Sequence, residues 1–555
     1  MKKLNRLFFI LLCLLLVSCK SFVQDISKSG PELVVLNAKV ITVDSTHPRA
    51  EAFAVQAGKF IQVGSNNEIK QLIRDHTKVI DVQNKTIIPG LNDGHIHMVR
   101  AGMYWQYEVR LDEATKLADI LQLIRARAQS TPKGTWILTL GGWHPSQIKE
   151  GRMPTLAELD QVAPDHPVYI QALREVGQMN SQAMQKSGIT ATTPMPGGVS
   201  IGKDTNGNFN GLIRGFNGQV LALKQFPKLS LEEKIEGFVL AMKDFNQAGL
   251  TSVGETFGIG VDEGDYDILF EAWRRKRLSV RVGLHFPTVN YKDAEKWIAN
   301  SAKGKSDDML LLNGLGEGVL NAVGDGYFPK QFPINNDAKE ELRQIIALGV
   351  PNKINFQFHA TLETTMNDML DSLEAVDQKT SIKDMRITFL HAEQITPAIM
   401  ARMKKLGMGL QMQNRQSLGS DLMKSNWGDR AVDSPPVKSV YQSGIPLAGG
   451  TDGTTSSSYR PFISLHWLIS GKNWRGDVVR PTQKLSREEA LKIYTHGGAW
   501  FTWEENKKGT IAKDMLADFV ILDKDYLSIP EDEIRFIKPL MTVVGGQVVY
   551  QSKTP

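Results

Sequence analysis

The sequence predicts an α/β protein with a parallel sheet and a small β-sandwich assembled from its two ends. Three observations carry this. Apolar strand-like runs alternate with helical segments through the middle of the chain, the order expected of βα units. Short β-type runs separated by turn signals fill both ends. Four apolar runs far apart in sequence each finish in a histidine or an aspartate.

Lys2, Lys3 and Arg6 precede the apolar run Leu7 to Val17, then Ser18 and Cys19. This is a signal-peptide layout. The run is shorter than the roughly 20 helical residues that span a hydrocarbon core. Leu16-Val17-Ser18-Cys19 resembles the bacterial lipobox. That resemblance implies removal of residues 1–18, acylation of Cys19 and attachment of an exported protein to the cell envelope by lipid chains alone. Lys20, rather than Asp, after the cysteine points to the outer membrane. Residues 19–31 then read as a polar tether. Cys13, the other of the two cysteines, lies in the apolar run, so the mature chain has no internal disulfide.

The formal net charge of +5 includes Lys2, Lys3 and Arg6, so the mature chain carries +2, which excludes nucleic acid as an expected partner. With 41% hydrophobic and 23% charged residues the chain can bury a sizeable core, which excludes disorder. Its 555 residues fit one large domain with a smaller one.

Residues 32–88 contain short β runs such as Leu33 to Leu36, Val40 to Val43, Ala52 to Val55 and Phe60 to Val63, with a hairpin turn at Gly58-Lys59. Residues 506–555 have the same texture, in Ala517 to Leu522 and Met541 to Val544, so the two ends are expected to meet in one sandwich. Residues 89–505 lie between them and carry the βα units. Ser230 with Glu233 and Ser486 with Glu489 are capping boxes that open helices. Gln413 to Pro436 reads as a long irregular connection bordering the cleft.

The run from Ile87 ends in Gly94-His95-Ile96-His97. Alternate residues of an extended strand point the same way, so both rings can address one ion. By itself such a pair is more often a surface or core feature. The pattern recurs, however, in Ile354 to His359, in Arg386 to His391 and in Ile445 to Asp452. The C-terminal ends of parallel barrel strands converge on one face, so His95, His97, His359, His391 and Asp452 become neighbours in space. Several imidazoles and a carboxylate suit a zinc-like divalent cation. Such a cation lowers the pKa of bound water towards about 7 and polarises the carbonyl it contacts. Asp452 is then the expected general base for hydroxide attack on a small-molecule substrate.

These residues resemble the amidohydrolase superfamily, in its family-three branch that includes deformylases of N-substituted formamides. The matching segments are Pro89 to His97, Gly141-Gly142-Trp143, Leu159-Asp160, Asn180-Ser181, Gly249 to Val253, Asp325-Gly326, Phe389-Leu390-His391, Gly450-Thr451-Asp452, Gly509-Thr510-Ile511 and Ala517-Asp518. The resemblance implies a distorted (β/α)8 TIM barrel and hydrolysis of carbon–nitrogen bonds other than peptide bonds.

The chain also departs from the pattern. Asn321 stands where relatives often carry a metal-bridging lysine, Arg174-Glu175 where Gly-His is common, Gly215 where a glutamate is usual, and Leu362-Glu363 in place of Gly-Asp after His359. The expectation is therefore one tightly held ion, with a second position open. Glu255, at the end of Thr251 to Gly254, is a candidate bridge. Trp143, His144 and His285 are candidates to line the substrate cleft. The alternatives are a lipoprotein that binds metal without catalysis, and a deaminase on the same scaffold.

Overall fold

The computed structural model describes residues 30–553 apart from 175, 216, 257–262 and 302–305. The signal segment, Cys19 and Glu175 lie outside the described residues. Eight strands make one sheet whose spatial order is the sequence order: β1 (Leu91–Ile96), β2 (Leu250–Glu255), β3 (Arg281–Phe286), β4 (Leu310–Leu315), β5 (Asn355–Ala360), β6 (Thr388–His391), β7 (Gly409–Gln413) and β8 (Leu447–Gly450). Every neighbouring pair is parallel. Every residue of β1, β2 and β3 is buried, as in a barrel covered on its outside by helices. This is the TIM-barrel architecture expected from the sequence.

The barrel is nearly closed, and its seam lies between the ends of β1 and β8. Asp452 N donates to His95 O and His97 N donates to Gly453 O, each at 2.9 Å. Glycine permits the close approach there, and a second glycine does so where β2 meets the other side of β1. A Cβ on Gly450 would stand 2.9 Å from His95 N, and one on Gly254 would stand 2.2 Å from Gly94 O.

Both chain ends contribute to one six-stranded sheet, in which Thr86–Pro89 pairs antiparallel with Phe519–Leu522. It packs with a four-stranded sheet of Leu33–Leu36, Ala52–Gln56, Lys59–Gly64 and Lys78–Asp81 around Phe53, Phe60 and Phe519. The Phe53 ring meets the other two edge-on at centroid separations of 5.1 and 4.9 Å. The turn at Gly58 closes the expected hairpin, with positive φ at Ala57 and Gly58. Barrel and sandwich are joined by Arg281 on β3, whose Nε and Nη2 donate to the Asp518 carboxylate at 2.7 and 2.9 Å, with both side chains buried.

Between β1 and β2 the chain leaves the barrel to form a five-stranded sheet of Ile137–Leu140, Val168–Ala172, Val176–Met179, Ser200–Lys203 and Phe209–Arg214. The expectation for 89–505 does not separate this unit. The short connection from Val168–Ala172 to Val176–Met179 can only join antiparallel strands, which a parallel barrel cannot accept as neighbours.

The expected irregular connection at Gln413 to Pro436 needs correction, because Gln416–Trp427 is an α-helix and Gly428–Ala431 a 3-10 turn. Asp421, Lys424 and Ser425 are exposed, while Gln416, Ser417, Leu418, Met423 and Trp427 are buried. Both expected capping boxes are present, at Ser230 for Leu231–Gln247 and at Ser486 for Arg487–Ile493. Among the described residues, no helix is long and apolar enough to cross a membrane.

Removing one partner of a buried ion pair strands the other, at a cost of about 3–5 kcal/mol. Asp518→Ala is therefore expected to lower the urea midpoint by that order of stability. Asp525→Ala, whose Lys39 partner is exposed, should lower it by less than about 1 kcal/mol.

Candidate metal centre

His95 and His97 project from the end of β1, His359 from β5, His391 from the end of β6, and Asp452 follows β8 by two residues. The structure brings all five together, because parallel strands end on the same rim. A sixth group, Glu317, joins them two residues past β4. Three overlapping sets have ligand atoms within 4.8 Å of one another: His95, His97 and Glu317; His95, His391 and Asp452; Glu317, His359 and His391.

Glu317 has a different oxygen towards each half of the cluster. Its Oε1 contacts His359 Nδ1 and lies 2.9 Å from His391 Nε2. Its Oε2 lies 3.6 Å from both His95 Nε2 and His97 Nε2. Asp452 Oδ1 lies 3.1 Å from His97 Nε2 and 3.6 Å from His95 Nε2.

These donors fit a cation. His97 Nδ1 lies 3.3 Å from the Thr256 carbonyl, and that hydrogen bond assigns the ring proton to Nδ1. Nε2 is then a lone pair facing a carboxylate oxygen, an arrangement of two acceptors that needs a positive charge between them. His95 Nε2 is buried with no hydrogen-bond partner. Nitrogen and carboxylate donors in this mixture suit a divalent ion of borderline softness.

Outer residues hold the donors in place. Asp93 accepts from His95 N at 3.1 Å and from Thr451 N and Oγ1 at 3.0 and 2.5 Å, clamping β1 to the end of β8. Burial pushes its carboxyl up to about 6. Asp325 accepts from Thr361 N and Leu362 N at 2.9 and 2.8 Å and sits 3.5 Å from His359 Nε2. Arg415 donates to Glu393 Oε1 through Nε and Nη2 at 3.0 and 2.6 Å, and its Nη1 lies 3.6 Å from Asp452 Oδ2.

Burial alone would raise the carboxyls of Glu317 and Asp452. The charge of His359 and His95 and the hydrogen bonds of His359 and His391 instead hold Glu317 well below its ordinary value. The His95 and His97 rings beside it do the same for Asp452. Burial pushes His97 down, and burial with Arg415 pushes His391 well down, leaving neutral rings suited to ligation. His359 goes the other way, because Glu317 outweighs its burial.

Four expectations need correction. Glu255 is not the bridge, since its Oε2 accepts from Met98 N and Val99 N at 2.5 and 3.3 Å, and burial pushes its carboxyl up to about 8. Trp143 does not line the cleft. It is fully buried in the inserted unit and donates from Nε1 to Gln171 O at 2.8 Å. His144 is committed to a local cap, with Nδ1 accepting from Ser146 N at 3.1 Å. His285 lies inside the barrel between Asn355 Oδ1 at 2.7 Å and Asn313 Nδ2 at 2.8 Å, and burial drives it down to about 3.

The departures also find their places. Asn321 begins an exposed 3-10 turn, Gly215 lies at the edge of the inserted sheet, and Glu363 pairs with Arg430 at the surface. Glu317 ends the run Leu310 to Gly316, the same strand-end pattern that marks the other ligands.

A family model described as "Amidohydrolase family" matches residues 78–550. An N-substituted formamide deformylase from Arthrobacter pascens is 25% identical, over 94% of this chain and 98% of that protein. A metal-dependent hydrolase from Pyrococcus horikoshii superposes with TM-score 0.65 at 20% identity, covering 90% of this chain and 99% of that one. A zinc complex of an atrazine chlorohydrolase from Arthrobacter aurescens superposes with TM-score 0.55 at 13% identity, covering 94% and 96%.

Glu317→Gln is expected to weaken zinc binding by more than the roughly 10–100-fold that loss of an outer partner costs. Glu255→Gln should leave metal content unchanged. Metal analysis after dialysis against a graded chelator reads both, and equal metal loss in the two variants would contradict the assignment of Glu317.

Proposed function

This chain belongs to the amidohydrolase family, and on that premise we propose that it is an exported, lipid-anchored, zinc-dependent hydrolase of small amides, formamides or cyclic amides. The observation that carries this reading is the convergence of His95, His97, His359, His391, Glu317 and Asp452 on one barrel rim, with acceptor facing acceptor.

His95, His97 and Asp452 with Glu317 would hold one ion, and Glu317 with His359 and His391 a second beside it. This enlarges the single-ion expectation, because Glu317 has one oxygen towards each half of the cluster and would be shared by the two sets. When bound, such ions make a coordinated water acidic enough to supply hydroxide near neutral pH, and they polarise a substrate carbonyl.

The chain's own residues do the rest. Asp452 takes the proton of the attacking water and passes it to the departing nitrogen as the carbon–nitrogen bond breaks, so that amide and water become acid and amine. Its Oδ1 faces the histidines, and its Oδ2, with Arg415 Nη1 at 3.6 Å, is the oxygen that moves the proton. Arg415 is held by Glu393 and so keeps Asp452 from rotating. The buried walls of β1 and β8 exclude competing water from the seam.

The anchor reading is supported by the sequence from Lys2 to Cys19 and by the polar residues 20–31 that follow it. Two acyl signals or more give stable membrane attachment, which one chain does not.

Asp452→Asn should lower kcat by about 10³-fold, within the roughly 10²–10⁴-fold typical of a lost proton-transfer group, while retaining most of its metal. Full activity in that variant would remove Asp452 from proton transfer. Cys19→Ser should shift the protein from the membrane pellet to the soluble fraction, and pelleting of the variant would sink the lipid-anchor reading.

A further inference from the structure

We propose that the substrate of this centre carries an anionic group, in the simplest case a carboxylate, and that Arg100 receives it. The inference rests on the hydrolase reading for where substrate sits and adds the class of molecule that fits there.

Arg100 lies on the helix Met98–Tyr104, three residues after His97, and is 8% exposed. Its Nη2 is buried and has no hydrogen-bond partner. A guanidinium cannot shed its charge, and a buried donor without an acceptor is costly, so such a group needs an anion from somewhere.

The carboxylates whose fields reach it are Asp452, Glu255, Glu108 and Glu317. None of them is hydrogen-bonded to Nη2, although Glu108 and Glu255 each keep one oxygen without a partner. Glu108 Oε2 accepts from Arg110 Nη1 at 2.8 Å. Glu255 Oε2 accepts from the backbone N–H groups of Met98 and Val99. Asp452 and Glu317 face the imidazoles as candidate metal ligands, and a bound cation would cancel their pull on Arg100. A loaded centre is therefore one in which Arg100 Nη2 is a buried donor still without an acceptor.

A second guanidinium sits in the same field. Arg174 follows the strand Val168–Ala172 of the inserted sheet. The residue before it, Leu173, donates from N to Trp143 O at 3.2 Å and packs with Leu418, three residues after Arg415. That packing ties this segment of the inserted sheet to the barrel rim. Arg100, Asp452 and Glu317 are the charges that act on Arg174. Two like charges held together at a buried rim attract a ligand of opposite sign. Arg415, on the same rim, has Glu393 as its counter-ion.

The test uses N-formylalanine and its neutral carboxamide. Dissociation constants are measured by calorimetry on zinc-loaded Asp452→Asn chain, where turnover is blocked. The acid is expected to bind about 10–100-fold more tightly than the amide, the range of a charge-assisted contact. In an Arg100→Gln background the preference should disappear, and Arg100→Lys should restore part of it. An acid that binds no better than the amide, or binding of neither, overturns the proposal, and this comparison stands even if Arg100→Gln fails to fold. A preference that survives Arg100→Gln overturns the role of Arg100. Turnover of both probes by wild-type chain is measured alongside. Acid preference without turnover sinks the hydrolase reading and leaves the anion site standing, whereas turnover without preference does the reverse.

Discussion

Closure of the barrel between its first and last strands is the constraint on which the candidate site depends. Two backbone hydrogen bonds cross the seam, from Asp452 N to His95 O and from His97 N to Gly453 O, and Asp93 clamps the same junction through Thr451. These bonds set the distance between Asp452 and the two histidines of β1. A seam opened by even one ångström would separate the proton-transfer group from the imidazoles, and the reach of a catalytic hydrogen bond is about that narrow. Glycine at 450 permits the approach, since a side chain there would collide with the backbone of β1, and Gly254 allows the same on the β2 side of that strand.

The electrostatics follow from that closure. Two carboxylates and four imidazoles are drawn into a dry rim, where an uncompensated charge is expensive. In the structure Glu317 pushes the pKa of His359 up against the effect of burial, while His95 Nε2 has no partner. Outer groups are arranged so that each donor is oriented by a separate acceptor: Thr256 O for His97, Asp325 for His359, Gln413 Oε1 for the backbone of His391. The guanidiniums around the rim divide by the same logic. Arg415 has a dedicated counter-ion and orients Asp452, whereas Arg100 has a buried N–H without one.

Much of the fold was legible because its signals are local. The capping boxes at Ser230 and Ser486 need only four residues each, and the hairpin at Gly58 needs only the residues of its turn. Buried strands read as apolar runs, so the barrel strands carrying His359, His391 and Asp452 stood out. The helix Gln416–Trp427 was less legible, since polar Gln416 and Ser417 share its buried side and its apolar residues are spaced too widely for a strong periodic signal. Trp143 was misjudged for a related reason. A tryptophan beside a Gly-Gly pair looks the same in sequence whether it faces a cleft or fills the core of an inserted sheet.

By itself the sequence determined which residue types end the barrel strands, that the two chain ends pair in one sheet, and that a divalent cation suits the histidines and Asp452. Only the tertiary structure decided which carboxylate joins them. Glu255 and Glu317 both follow an apolar run and a glycine, so their local signatures match. What separates them is the neighbour each meets after the barrel closes. Glu255 finds the free N–H groups at the start of Met98–Tyr104, while Glu317 finds four imidazoles. That choice depends on strand pairing and side-chain direction across the barrel, contacts between residues tens to hundreds of positions apart, and no window of sequence contains them.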